Sequence, residues 1–172
     1  MAEPGAFSVE VKLETMDMYR FSLMTLFRRF RWFLPIAVGA LLIVVSLNVI
    51  AGQWDWSWQN LLGPAFLVLI PYAFLVSPYF ASRKYVRKNP NLAGPFTYIF
   101  SEQGIEVSGP HSQGRLTWEA IIEVRETPAQ FLLYPQTAIA NIIPKRFLAN
   151  VDQQATLRAL FRAHVKKVKL RA

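Results

Sequence analysis
The chain has no cysteine, which excludes a disulfide framework and any thiolate metal site and fits a reducing compartment. Histidine is nearly absent too. His111 sits in a Gly/Pro loop without an acid or second histidine beside it, and His164 falls on a terminal helical stripe. A metal site needs about three converging ligands, so neither metal nor cofactor is expected. There is no Gly-rich phosphate loop, nucleophile elbow or HExxH pair. No nucleic-acid-binding motif accompanies the basic excess, so no nucleic-acid partner is expected. The first residues, MAEPGAFSVEVKLE, are acidic and alternating, unlike a cleavable signal peptide. Charge itself is missing from two runs, residues 32–50 and 61–80.

Those two runs dominate a composition that is 53% hydrophobic and 17% charged. Each meets the length of roughly 20 mostly apolar residues that a membrane-spanning helix needs. Between them, residues 51–60 carry one acid, Asp55, and no base, while Arg28, Arg29 and Arg31 precede them and Arg83, Lys84, Arg87 and Lys88 follow. Bases on one side favour that side as the inner one. The pattern predicts a two-helix transmembrane hairpin in the cell inner membrane, multi-pass, with both termini cytoplasmic. Trp32, Trp54, Trp56 and Trp58 then read as interfacial anchors, together with the seven flanking bases. Asn48 reads as an interfacial or hairpin contact, and Pro71 as a kink.

Outside the runs the pattern changes. Phe7, Val9, Val11 and Leu13 alternate with polar residues, which predicts a strand with one buried face. A lone strand cannot hide that face, so residues 1–14 are expected to join a sheet formed downstream. Thr15 or Asp17 is expected to cap an amphipathic helix over 15–31 that leads into the hairpin of 32–88. Residues 94–172 then supply short strands at 96–100, 105–108, 115–118, 131–134 and 138–143, with 119–125 undecided between strand and helical turn and 135–137 read as a turn. A helix capped by Asp152 follows, with Leu157, Leu160, Phe161, His164 and Val168 on one stripe and Arg158, Arg162, Lys166 and Lys169 on a neighbouring face. The expected fold class is thus α+β: a transmembrane hairpin plus a small cytoplasmic antiparallel β-sheet or barrel closed by a C-terminal helix.

The run FTYIFSEQGIEVSG, the LTWEAI segment around Trp118 and IIPKRFL at 142–148 resemble the YcxB-like family of small bacterial membrane proteins. The resemblance implies a pleckstrin-homology-like (PH-like) β-module and brings no catalytic residues with it.

For function, Pro144-Lys145-Arg146 is the sharpest motif: a strand stop followed by two cations suited to phosphate or carboxylate. With Arg158, Arg162, Lys166 and Lys169 it forms the expected docking surface for membrane lipids or a protein partner. Glu119, Glu123 and Glu126 are near one another, but general acid–base work needs groups with separated pKa values in a cleft. Trp118 reads as core. The expected function is non-catalytic docking. The alternatives are an accessory subunit of a transport or export system, in which Gly39 and Gly63 permit close packing in a homo-oligomer, and a membrane-surface enzyme.

Overall fold
The computed structural model describes residues 7–52, 57–92, 94–137 and 139–171. The chain divides into two compact units, Met1–Met18 with Lys84–Ala172, and Tyr19–Arg83. Two helices, α1 (Thr15–Arg29) and α3 (Trp58–Lys88), pass from one unit into the other, while α2 (Phe33–Ile50) lies within the second.

The first unit is built on two four-stranded sheets. One has the order β1-β2-β3-β4, from β1 (Phe7–Val11), β2 (Phe96–Ser101), β3 (Gly104–Ser108) and β4 (Gln113–Leu116). The other has the order β7-β6-β5-β8, from β5 (Glu123–Glu126), β6 (Gln130–Gln136), β7 (Ile139–Pro144) and β8 (Val168–Lys169). The alternation of Phe7, Val9 and Val11 sets the register of β1 on β2, with Val9 opposite Tyr98 and Val11 opposite Phe96. All ladders are antiparallel except β5 with β8, where Val124 faces Val168. The helix α4 (Val151–His164) buries Leu157, Leu160 and Phe161 in a core shared with Val11, Phe100, Phe131 and Ile143. Trp118 belongs to that core: its indole N–H is shared between the Ser101 and Glu102 carbonyls at 3.1 Å each, and its ring stacks on His164. The β2–β3 hairpin turns on Gly104, whose φ of 147° and position against the Leu116 carbonyl leave no room for a side chain.

In the second unit Tyr19 ties α1 to α3. Its hydroxyl donates to the Leu75 carbonyl at 3.0 Å and its ring meets Tyr79 edge-on. Phe30 packs edge-on against Phe74. α3 runs unbroken through Pro64, Pro71 and Pro78. Ile36, Ile43, Leu47, Ile50 and Val68 are exposed.

Several expectations are corrected here. Among the described residues, no helix is long and apolar enough to cross a membrane. The transmembrane hairpin, the multi-pass inner-membrane placement and the cytoplasmic assignment of both ends are therefore overturned. At about 1.5 Å per residue, the 18 residues of α2 reach about 27 Å against a hydrocarbon layer of about 30 Å, at the short end of the spanning range. α3 is longer, but Gln59 and Asn60 stand at one end and four bases at the other, so its apolar part is shorter than the helix. The single small sheet or barrel is corrected to two sheets, the second of them mixed, within the α+β class. The cap of α4 is Asn150, whose side chain accepts from the Gln153 N–H at 2.8 Å, and not Asp152. The helix stops at His164, so Lys166 and Lys169 do not continue the face of Arg158 and Arg162; Lys169 lies in β8. Residues 135 and 136 belong to β6, whose pairing with β7 carries an irregularity between Leu133 and Gln136.

Two glycines of the first sheet should respond oppositely. Gly104→Ala forces a Cβ to within 2.5 Å of a carbonyl oxygen and is expected to cost about 2 kcal/mol or more. A Cβ at Gly114 meets nothing within 4 Å, so Gly114→Ala should stay within about 0.5 kcal/mol of the parent in urea denaturation.

Candidate binding surface
The strand β5 places two carboxylates, Glu123 and Glu126, between cations of other elements. The Glu126 side chain is fully buried. It accepts from Lys145 Nζ, from Arg158 Nε at 3.0 Å and Nη2 at 2.6 Å, and from the Arg171 N–H at 3.2 Å. Lys145 also lies over the Phe131 ring, 5.0 Å from its centroid. Burial alone pushes the Glu126 pKa up, but the hydrogen bonds from Arg158, Lys145 and the Arg171 backbone, with the charge of Lys145, outweigh it and hold it at about 2. Glu123 has a similar balance. Burial raises its pKa, and Arg125 at 2.7 Å with Lys167 and Lys169 at 3.5 and 3.7 Å brings it below the ordinary value.

Arg146 follows Lys145 in a 3₁₀ turn and points to a different carboxylate. Its guanidinium forks onto Asp17, Nη1 to Oδ1 at 2.6 Å and Nη2 to Oδ2 at 2.7 Å, and lies 3.5 Å from Glu14. The hydrogen bond to Asp17 is the main reason that its pKa is raised. Asp17, 1% exposed, also accepts from the Glu14 N–H at 2.9 Å. That bond ties the third residue of α1 to the backbone just before the helix, as in half of a capping box.

The structure therefore splits the basic residues read from the sequence. Lys145, Arg146 and Arg158 are engaged with Asp17 and Glu126 of the same chain, and Lys169 stands near Glu123. Arg162 and Lys166 are exposed and have no carboxylate partner among the described residues, as are Lys84, Arg87 and Lys88 in the last turns of α3. Of the residues expected at a membrane interface, Arg28 and Arg29 end α1, Arg29 lies over Phe30, and Arg31 lies over the exposed Trp32. Arg83 is exposed on α3, and Trp58 is the first residue of that helix. Trp54, Asp55 and Trp56 lie outside the described residues.

The three nearby glutamates do not converge. Glu119 is exposed on a 3₁₀ turn, and its pKa is lowered by its own backbone N–H and by the Thr117 hydroxyl. All three are held ionised near neutrality, which leaves none of them a proton to donate. Among the described residues no three His, Asp or Glu side chains gather as a metal site. His164 stacks on Trp118 and faces Glu102 at 2.8 Å, and His111 is exposed.

Sequence reasoning missed a groove in this unit, of about 380 Å³. It has apolar walls and is lined by parts of β2, β3, β4 and β7. No local motif announces it, because its walls come from strands far apart in the chain.

Residues 100–161, from β2 into α4, match the family model described as YcxB-like protein, so the resemblance read in the sequence holds over this segment. No curated protein matches the chain. No solved structure matches it either.

The depressed Glu126 pKa gives a pH prediction. Its carboxylate contributes fully above the ordinary value of 4.5, and the contribution is lost as pH falls through about 2. Glu126→Gln should be less stable than the parent at pH 7 by about 3 kcal/mol, and the gap should close between those two pH values. Urea denaturation of both proteins across that range checks it.

Proposed function
We propose that the β unit is a non-catalytic docking module for an acidic partner protein. One observation carries this reading. Its buried carboxylates are each neutralised from within, while Lys84, Arg87, Lys88, Arg162 and Lys166 stay exposed without a carboxylate among the described residues. Cations spent on internal carboxylates stabilise the fold. Cations left in water attract opposite charge, speeding and orienting encounter more than deepening affinity. The cations that hold Glu123 and Glu126 ionised leave neither a proton to give as a general acid.

The test uses poly-L-glutamate as probe for the full chain at low ionic strength. Alanine at Lys84, Arg87, Lys88, Arg162 and Lys166 should weaken binding roughly tenfold. It should also flatten the salt dependence and leave the thermal midpoint unchanged. Alanine at five bases of the second unit, Arg20, Arg28, Arg29, Arg31 and Arg83, is the control of equal charge. An equal loss in both variants would show net charge alone at work and would contradict the proposal.

A further inference from the structure
The groove of the first unit is bordered by backbone as well as by side chains. Ile139, Ala140, Asn141 and Ile142 line it in unbroken succession. Side chains of a strand alternate between its two faces, so four residues in a row can border one groove only along the strand's edge. Ser112, Gln113 and Gly114 do the same at the start of β4. Both β4 and β7 are the outermost strands of their sheets. The groove thus runs beside two edges whose outward N–H and C=O groups no ladder pairs among the described residues. Such an edge is a template for another strand.

The walls supply the rest of a recognition site. Phe96, Val107 and Leu116 give apolar surface, and Ile139, 57% exposed, stands at the rim. Tyr98 also lines the groove. It is only 4% exposed. A carbonyl of a ligand in the groove would be an acceptor for its hydroxyl. No lining residue except those of the backbone edges and a few neutral polar side chains offers hydrogen bonds, and none is charged. The charge lies just outside. Tyr85 of α3 lines the groove, and Lys84 and Lys88 stand exposed on the same turns.

We propose that this groove binds an extended segment of a partner protein by strand addition to β4 or β7, with apolar residues at alternate positions seated in the groove and acidic residues flanking them. The inference rests on the docking reading above and names the partner's local chemistry. Backbone pairing supplies affinity, alternate side chains supply specificity, and the cations of α3 meet the acidic flanks. A fatty amphiphile would satisfy the apolar walls and the cations, but it would leave both strand edges unpaired.

The experiment compares two probes on the full chain: a fluorescent peptide with valine at alternate positions between glutamates, and poly-L-glutamate. The peptide should bind at least tenfold more tightly per molecule than a poly-L-glutamate of equal length. Ile139→Asn, at an exposed position, should weaken peptide binding about tenfold and leave poly-L-glutamate binding unchanged. Tyr98→Phe should weaken it several-fold and leave stability close to that of the parent. Amide hydrogen exchange should slow on peptide binding at residues 113–116 or 139–142. A peptide that binds no better than poly-L-glutamate would overturn the groove and leave the docking reading standing, whereas failure of both probes would overturn both. Peptide binding untouched by both substitutions, or without exchange protection on either edge, would also overturn the inference. So would laurate binding that excludes the peptide and is weakened by Ile139→Asn while neither edge gains protection.

Discussion

A buried carboxylate must be paired or protonated, and this constraint organises the β unit. Asp17 stands at the start of α1, and its partner Arg146 lies 129 residues further on. The second unit, Tyr19–Arg83, is inserted between them. The fork of Arg146 on Asp17, with a further contact from its Nη2 to the Lys12 carbonyl at 3.4 Å, joins the segment around β1 to the 3₁₀ turn after β7. β1 thus gains a second attachment besides its ladder to β2. Lys145, next in the chain to Arg146, turns to Glu126 instead. Two adjacent cations therefore lock two different parts of the fold.

This division changes what the basic sequence means. Pro144 ends β7, and the residues behind it look, in one dimension, like a free cationic tip. In three dimensions the tip is folded back on carboxylates at the ends of α1 and β5. Arg158 approaches the same Glu126 from α4, and the Arg171 N–H closes the set from the chain's end. Three separate segments converge on one carboxylate. The positive surface left over is smaller and lies elsewhere, at the ends of α3 and α4. Function is sought there and in the groove between the strand edges.

The sequence made some of this legible. The alternation of Phe96, Tyr98 and Phe100 and the glycine at 104 locate β2 and β3, because a half-buried strand and a sterically crowded turn each leave a local mark. Leu157, Leu160 and Phe161 likewise mark the buried stripe of α4. Other features left none. β8 is two residues long and too short for any periodicity, so Val168 and Lys169 read as more helix. Asn150 and Asp152 are both capping residues, and only geometry shows which of them accepts from the helix N–H. Asp17 could be read as a cap, but a local pattern cannot disclose a partner so distant in the chain. The two charge-free runs marked two helices, since α2 covers residues 33–50 and α3 contains all of 61–80, but apolarity alone did not disclose that no helix among the described residues is long and apolar enough to cross a membrane. The groove depends on edges that meet only in the folded unit.

The central claim is that Arg146 is a structural cation whose charge is spent on Asp17. A double-mutant cycle of Asp17→Asn, Arg146→Met and their combination, followed by urea denaturation at pH 7, tests it most directly. The account predicts that each single change destabilises, and that the pair couples by about 2 kcal/mol, so that the double variant loses clearly less than the sum of the two losses. Losses that add to within about 0.5 kcal/mol would contradict it.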